Sequence, residues 1–221
     1  MKNRRTYYQL ILDRSGSMYS CIEQTINGVN QQILRIKELA ARFPEQELVT
    51  SLTLFNHHIT PTWTRKRPEK LREIGLRDYQ PDGTTALLDA IGVTLHDLQT
   101  SIGPEVARDE ASVVVVIITD GYENSSKRFS HGQISSLIRE LELTGKWTFS
   151  YLGATADAVE IAMSMNISKS NAMSFNIEES DKVYSKVNRS LDDYMEIKRA
   201  GSIKKIFLDD QDDDAPDHSK N

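Results

Sequence analysis

Two rhythms of apolar and polar residues take turns along the chain. "YYQLILD" at 7–13 is a short apolar run that reads as a buried strand. After it Ile22, Ile26, Val29, Ile33, Ile36, Leu39 and Phe43 recur every three or four residues, which predicts an amphipathic helix ending before Pro44. Ser20 and Glu23 have the spacing of a capping box at its start. "LVTSLTLFN" at 48–56 and "ITPTWTRKR" at 59–67 return to strand character and lie so close together that they predict an antiparallel hairpin at a sheet edge. Pro61 is tolerated there, and His57 and His58 fall in the turn. The stretch 81–100, "PDGTTALLDAIGVTLHDLQT", begins as a polar loop and becomes a helix with Leu87, Ala90, Ile91, Thr94, Leu95 and Leu98 on one face. "SVVVVIITD" at 112–120 is β-branched without alternation, the mark of a central parallel strand buried on both faces. Ser130 and Gln133 then cap a helix with Ile134, Leu137, Ile138 and Leu141 inward, and "WTFSYLGA" at 147–154 gives the next strand. A short helix around "DAVEIAMSM", a weak strand at 172–176 and a last helix from Ser180 to about Ala200 complete the series.

Strands alternating with helices predict an α/β fold: a Rossmann-like, doubly wound, mostly parallel central sheet with one antiparallel edge strand and helices on both faces. The 221 residues suit one domain, expected over 1–206 with 177–206 as a C-terminal helix, followed by an acidic, disordered, solubilising tail at 207–221. That tail carries much of the net charge of −5, so the body is near neutral, and with no basic face nucleic acid is not the expected partner. The single cysteine, Cys21, excludes an internal disulfide and cysteine-rich zinc patterns and reads as a packing residue. The apolar stretch behind the basic N-terminus breaks at Asp13, and no segment approaches the length of a membrane span, so the expectation is a cytoplasmic protein with no membrane partner. Met163, Met165 and Met173 read as core filler.

The candidate chemistry lies where three apolar strands or helices meet polar loops. "DRSGS" places Asp13, Ser15 and Ser17 at the end of the first strand, Asp120 closes the most buried strand, and Thr84 and Thr85 sit in the loop that opens the intervening helix. Ligands of open α/β sheets collect outside the carboxyl ends of the strands, so all three segments can meet there. The donors are carboxylates and hydroxyls without thiol or imidazole, a hard-oxygen set that favours Mg²⁺ over zinc or copper, with Mn²⁺ or Ca²⁺ able to substitute. Glu123 and Asn124, just beyond Asp120, are further candidates for the rim around a ligand. His57 and His58 read as a surface turn, since neighbouring side chains on a strand point apart.

The same residues resemble the von Willebrand factor A (vWA) domains, whose metal-ion-dependent adhesion site (MIDAS) is written D-x-S-x-S on one loop, a threonine on a second and an aspartate on a third. Asp13, Ser15 and Ser17 in "DRSGS", Thr85 in "DGTTALLDAI" and Asp120 in "ITDG" fill the five positions, and the family spacing selects Thr85 over Thr84. The resemblance spans roughly 6–177 and is closest to the bacterial stand-alone cytosolic type. It implies a protein-binding module whose Mg²⁺ captures a Glu or Asp carboxylate of a partner protein, within an AAA+ ATPase-containing or other multi-component system. An enzyme is not expected: the rim loops offer no histidine base, and the chain has no G-x-S-x-G elbow, no phosphate-binding P-loop and no second aspartate two residues after Asp13. The alternatives are a metal-assisted phosphohydrolase and an A domain whose metal is purely structural.

Overall fold

Strand residues facing alternately up and down need a helix layer on each side, and the chain supplies both. A computed structural model describes residues 4–176 and 180–208. Its strands are β1 (Arg5–Asp13), β2 (Glu47–Phe55), β3 (Ile59–Lys66), β4 (Ala111–Thr119), β5 (Trp147–Gly153) and β6 (Ala172–Ser174); its helices are α1 (Ile22–Arg42), α2 (Leu87–Ala107), α3 (His131–Leu143), α4 (Ala158–Ser164) and α5 (Ser180–Arg199). The sheet runs in the order β3-β2-β1-β4-β5-β6, with β3 antiparallel to β2 and every other neighbour parallel. This is the doubly wound, Rossmann-like arrangement, with its antiparallel strand at the edge.

Strand β1 shows how the period of two divides the core. Tyr8, Leu10 and Leu12 join Val29, Ile33 and Ile36 of α1 and Val183, Val187 and Leu191 of α5 on one face. Tyr7 and Ile11 join Leu87, Ile91 and Leu95 of α2, Ile134 and Ile138 of α3 and Ala158 of α4 on the other. Every residue of β4 is buried, and each Val or Ile withdrawn from water in this way is worth on the order of 1.5–3 kcal/mol. From β1 the chain winds outward to β2, and from β4 it winds the opposite way to β5, so the winding reverses between β1 and β4. The crevice at their carboxyl ends is where such sheets bind ligands.

Several local expectations change. Ser20 does not cap α1: the chain already turns as a 3₁₀ segment over Gly16–Cys21, Cys21 stands at the N-cap without a side-chain capping bond, and the Ser20 hydroxyl donates to the carbonyl of Ser17 at 3.3 Å. The capping box at Ser130 and Gln133 does form. Helix α2 runs to Ala107, past the expected end at 100, with Pro104 inside its last turns. The His57 and His58 rings do not point apart, because the tight turn holds their centroids 4.1 Å from each other. Met165 is buried and Met173 half-buried, but Met163 is exposed and fills no core. The boundary of the tail also moves. Phe207 and Leu208 are buried, the Phe207 N–H donates to Asn171 Oδ1 and its ring lies 6.4 Å from that of Tyr194. The acidic residues at 209–221 lie outside the described residues. No described helix is long and apolar enough to cross a membrane.

Candidate metal centre

The site is assembled from the loop after β1, the loop before α2 and the loop after β4. Arg14 N–H donates to the carbonyl of Phe55 at the end of β2, and two backbone bonds join the first two loops: Asp82 N–H donates to the carbonyl of Arg14 and Gly16 N–H to that of Gly83. Gly83 has φ of 71°, a left-handed conformation that glycine adopts without strain, and a Cβ there would lie 2.1 Å from His57 Nδ1. The third loop is tied to the second through Thr85, whose N–H donates to Asn124 Oδ1 at 2.9 Å and whose carbonyl accepts from the N–H of Asn124 at 3.0 Å.

These connections bring the oxygens together. The Ser17 hydroxyl donates to Asp120 Oδ1 at 2.7 Å and lies 3.2 Å from the hydroxyl of Ser15. Asp13 is fully buried; it accepts from Ser15 N–H at 2.7 Å and from the Thr119 hydroxyl at 2.6 Å. A methyl group built on Gly121 would sit 3.3 Å from the Thr85 hydroxyl and 3.4 Å from that of Ser17, so Thr85 reaches the same cradle and a side chain at 121 would crowd both hydroxyls. Thr85 is buried, whereas Thr84 is exposed. The five expected residues, Asp13, Ser15, Ser17, Thr85 and Asp120, therefore converge.

Electrostatics show what the cluster lacks. Burial pushes the Asp13 carboxyl up to about 6, offset by its bonds from Thr119 and Ser15 and reinforced by the nearby Asp120. Burial also raises Asp120, against the bond from Ser17. Neither carboxylate pairs with a Lys or Arg side chain among the described residues. A buried and a half-buried acid beside three hydroxyls fit a hard divalent cation, which would hold both acids ionised. No three His, Cys, Asp or Glu side chains converge anywhere among the described residues, so here two acids would have to act with hydroxyls.

Glu123 and Asn124 lie on the rim loop, but their oxygens are turned onto the start of α2. Glu123 Oε2 accepts from Leu88 N–H at 2.9 Å and from the Ser126 hydroxyl, while Oε1 accepts from the N–H groups of Ser125 and Ser126. Asp89 accepts from the N–H groups of Lys127, Arg128 and Phe129. Helix α2 has no cap of its own, so these acids fix the turn that carries Thr85. Sequence reasoning missed Thr119 and also Tyr79, a buried residue whose hydroxyl donates to the carbonyl of Asp13 at 2.6 Å. The T of "ITDG" was the one available signal.

A family model for the von Willebrand factor type A domain matches residues 9–189, and the chain belongs to that family. No curated protein sequence matches it. Among solved structures it is similar to the manganese-loaded TRAP protein of Plasmodium vivax (17% identity, TM-score 0.54, 81% of this chain and 72% of that one). It is also similar to the PilB minor pilin of Streptococcus sanguinis (11% identity, TM-score 0.62, 86% of this chain and 61% of that one). Proximal thread matrix protein 1 from the mussel byssus is a third (17% identity, TM-score 0.57, 86% of this chain), and the present chain spans only 47% of its length. At these identities the likeness establishes the fold.

Proposed function

We propose that the chain is a non-enzymatic protein-binding module whose grip on its partner depends on a divalent cation. The observation that carries the reading is the convergence of three hydroxyls and two acids at the β1/β4 crevice, with neither acid neutralised by a basic side chain among the described residues. Asp13, Ser15, Ser17, Thr85 and Asp120 would hold Mg²⁺, or Mn²⁺ or Ca²⁺ in its place, as a metal-ion-dependent adhesion site. Bound there, the cation supplies an electrophilic centre for a Glu or Asp carboxylate of the partner. Membership of the von Willebrand family and the manganese-loaded state of the TRAP relative support this reading. The setting we propose is a cytoplasmic, stand-alone bacterial protein within a multi-component system such as one containing an AAA+ ATPase.

Affinity purification of the tagged chain from its own cells, in Mg²⁺ or in EDTA, tests the proposal. The Thr85 side chain makes no cap bond at α2, so Thr85→Ala removes a ligand oxygen and leaves the helix and its buried face intact. EDTA and Thr85→Ala are each expected to release the partner, with circular dichroism unchanged in the variant. A partner retained at full level in EDTA refutes the metal-dependent mechanism.

A further inference from the structure

His57 and His58 take no part in the oxygen cluster described above. Both side chains are exposed, and among the described residues no hydrogen bond or ion pair engages either ring. Neighbours on a straight strand would send these rings to opposite faces. The turn between β2 and β3 instead holds their centroids 4.1 Å apart, with the ring planes inclined by 47°.

That turn is built on Asn56, which is buried and engages four polar groups in holding it. Asn56 N–H donates to the carbonyl of His58 at 3.0 Å, and Asn56 Oδ1 accepts from His58 N–H at 2.8 Å. Its Nδ2 donates to the carbonyl of Asp82 at 2.8 Å, and its own carbonyl accepts from Ala86 N–H at 3.0 Å. The backbone under both histidines is therefore fixed before anything binds, which lowers the cost of holding a ligand between them. The His57 ring is seated as well: its Nδ1 and Cε1 would lie 2.1 and 2.5 Å from a Cβ at Gly83. Nε2 lies farther from that glycine and is the ring nitrogen open to a ligand.

Two imidazoles on one ion have a characteristic separation. With metal–nitrogen bonds of about 2.0–2.1 Å, rings bound at right angles have centroids about 4.5 Å apart. The observed 4.1 Å is a small ring rotation away from that arrangement. Imidazole suits copper, nickel and zinc, whereas hydroxyls and carboxylates suit Mg²⁺, so this turn and the oxygen cluster prefer different cations. No third His, Cys, Asp or Glu joins the pair among the described residues. The ion must then be one that two nitrogens hold well, and Cu²⁺ stands at the top of the affinity series for such donors.

We propose that His57 and His58 form a second metal site, a two-nitrogen chelate for Cu²⁺ that is separate from the hard-oxygen centre. The full chain, without a histidine tag and in excess Mg²⁺, is titrated with Cu²⁺ by calorimetry. Electron paramagnetic resonance of the same samples counts the nitrogens on the ion. The wild type should show two nitrogens on its tightest-bound Cu²⁺. His57→Ala and His58→Ala should each weaken that binding at least about tenfold and leave at most one nitrogen, because the linked second donor is gone. His96→Ala removes a lone exposed histidine and Asp120→Ala disables the oxygen cluster, and both should keep the wild-type affinity and spectrum with circular dichroism unchanged. A wild-type spectrum with fewer than two nitrogens, a two-nitrogen signal that survives in either His57→Ala or His58→Ala, or its loss in a folded Asp120→Ala overturns the inference. Mg²⁺ binding is read separately, so failure of either site leaves the other standing.

Discussion

At the lower end of β1 and β4 the protein meets its basic groups with acceptors of its own. Arg5 donates to Glu47 and to Glu105, and Lys198 near the end of α5 donates to the carbonyl of Arg5 and to the hydroxyls of Thr6 and Ser112. At the upper end of the same two strands, Asp13 and Asp120 have hydroxyl and amide donors but no cation among the described residues. The lower end is closed by long-range contacts that anchor α2 and α5. The upper end gathers two acids that are met by neutral donors alone. The lower end thus finishes the fold from within the chain, and the upper end is where the proposed cation would act.

The widest separation of the two ends should appear in their response to Mg²⁺. A cation that binds only the folded chain stabilises it by about 2.7 kcal/mol at a hundredfold excess over its dissociation constant, which for a domain of this size raises Tm by roughly 5–10 °C. Asp120→Ala should lose that rise entirely, and Asp13→Ala likewise, whereas Arg5→Ala should lower Tm and keep the full Mg²⁺ increment. Differential scanning calorimetry of the four proteins with Mg²⁺ and with EDTA measures it. An increment that survives in Asp120→Ala breaks the comparison, because the upper end would then not be where the cation acts.

What could be read from sequence follows the range of the interaction. The alternation of strand and helix, the hairpin at the edge and the buried run of β4 are local patterns, and they fold as read. The five candidate oxygens were legible because three motifs in chain order each fell at the end of a predicted element. Tyr79 and Thr119 were not, since their bonds to Asp13 span 66 and 106 residues; nothing beside Tyr79 marks it, and Thr119 is marked only by standing next to Asp120. Ser20 and Glu23 had the right spacing for a cap, but the chain enters its helical turn at Gly16, before Ser20 could stand outside it. Phe207 and Leu208 looked like the start of an acidic tail because the surface they cover, around Asn171 and Tyr194, is built from distant segments. Lys198 gave no sign of being buried, since it sits among charged residues in α5.

That lysine sharpens the comparison from the lower side. Burial lowers Lys198 from the usual lysine range to about 7. The unfolded chain therefore binds a proton that the folded chain lacks between pH 7 and the ordinary lysine range, so stability must rise with pH across that window and level off below it. From pH 7 to pH 8.5 the rise is about 1.5 kcal/mol, read as a shift of the urea midpoint. Lys198→Met should flatten the slope whatever it does to absolute stability. An unchanged slope would mean that the three acceptors keep the ammonium charged, and that the lower end holds a full buried charge as the upper end does.

The smallest effect concerns the residues that position Thr85 without touching the cradle. The Asn124 carbonyl oxygen holds the N–H of Thr85, and Asn124 is exposed, so in Asn124→Ala water can replace the lost acceptor and the cost to stability should stay near 1 kcal/mol or below. Glu123 is different in kind. Its two oxygens accept four bonds from Leu88, Ser125 and Ser126, and Glu123→Gln would point an amide N–H₂ at groups that are already donors. Either change loosens the turn before α2 and moves the Thr85 hydroxyl relative to Ser17, and partners that orient metal ligands in this way commonly matter about tenfold in affinity. Calorimetric Mg²⁺ titration should therefore show a severalfold weakening in both variants, larger for Glu123→Gln, with the sheet intact by circular dichroism. Glu105→Gln is the matched control at the lower end: it disturbs an acceptor of Arg5 and Tyr7 and should leave Mg²⁺ affinity alone. If Glu105→Gln weakens Mg²⁺ binding as much as Glu123→Gln does, the two ends are coupled through the strands and do not act separately.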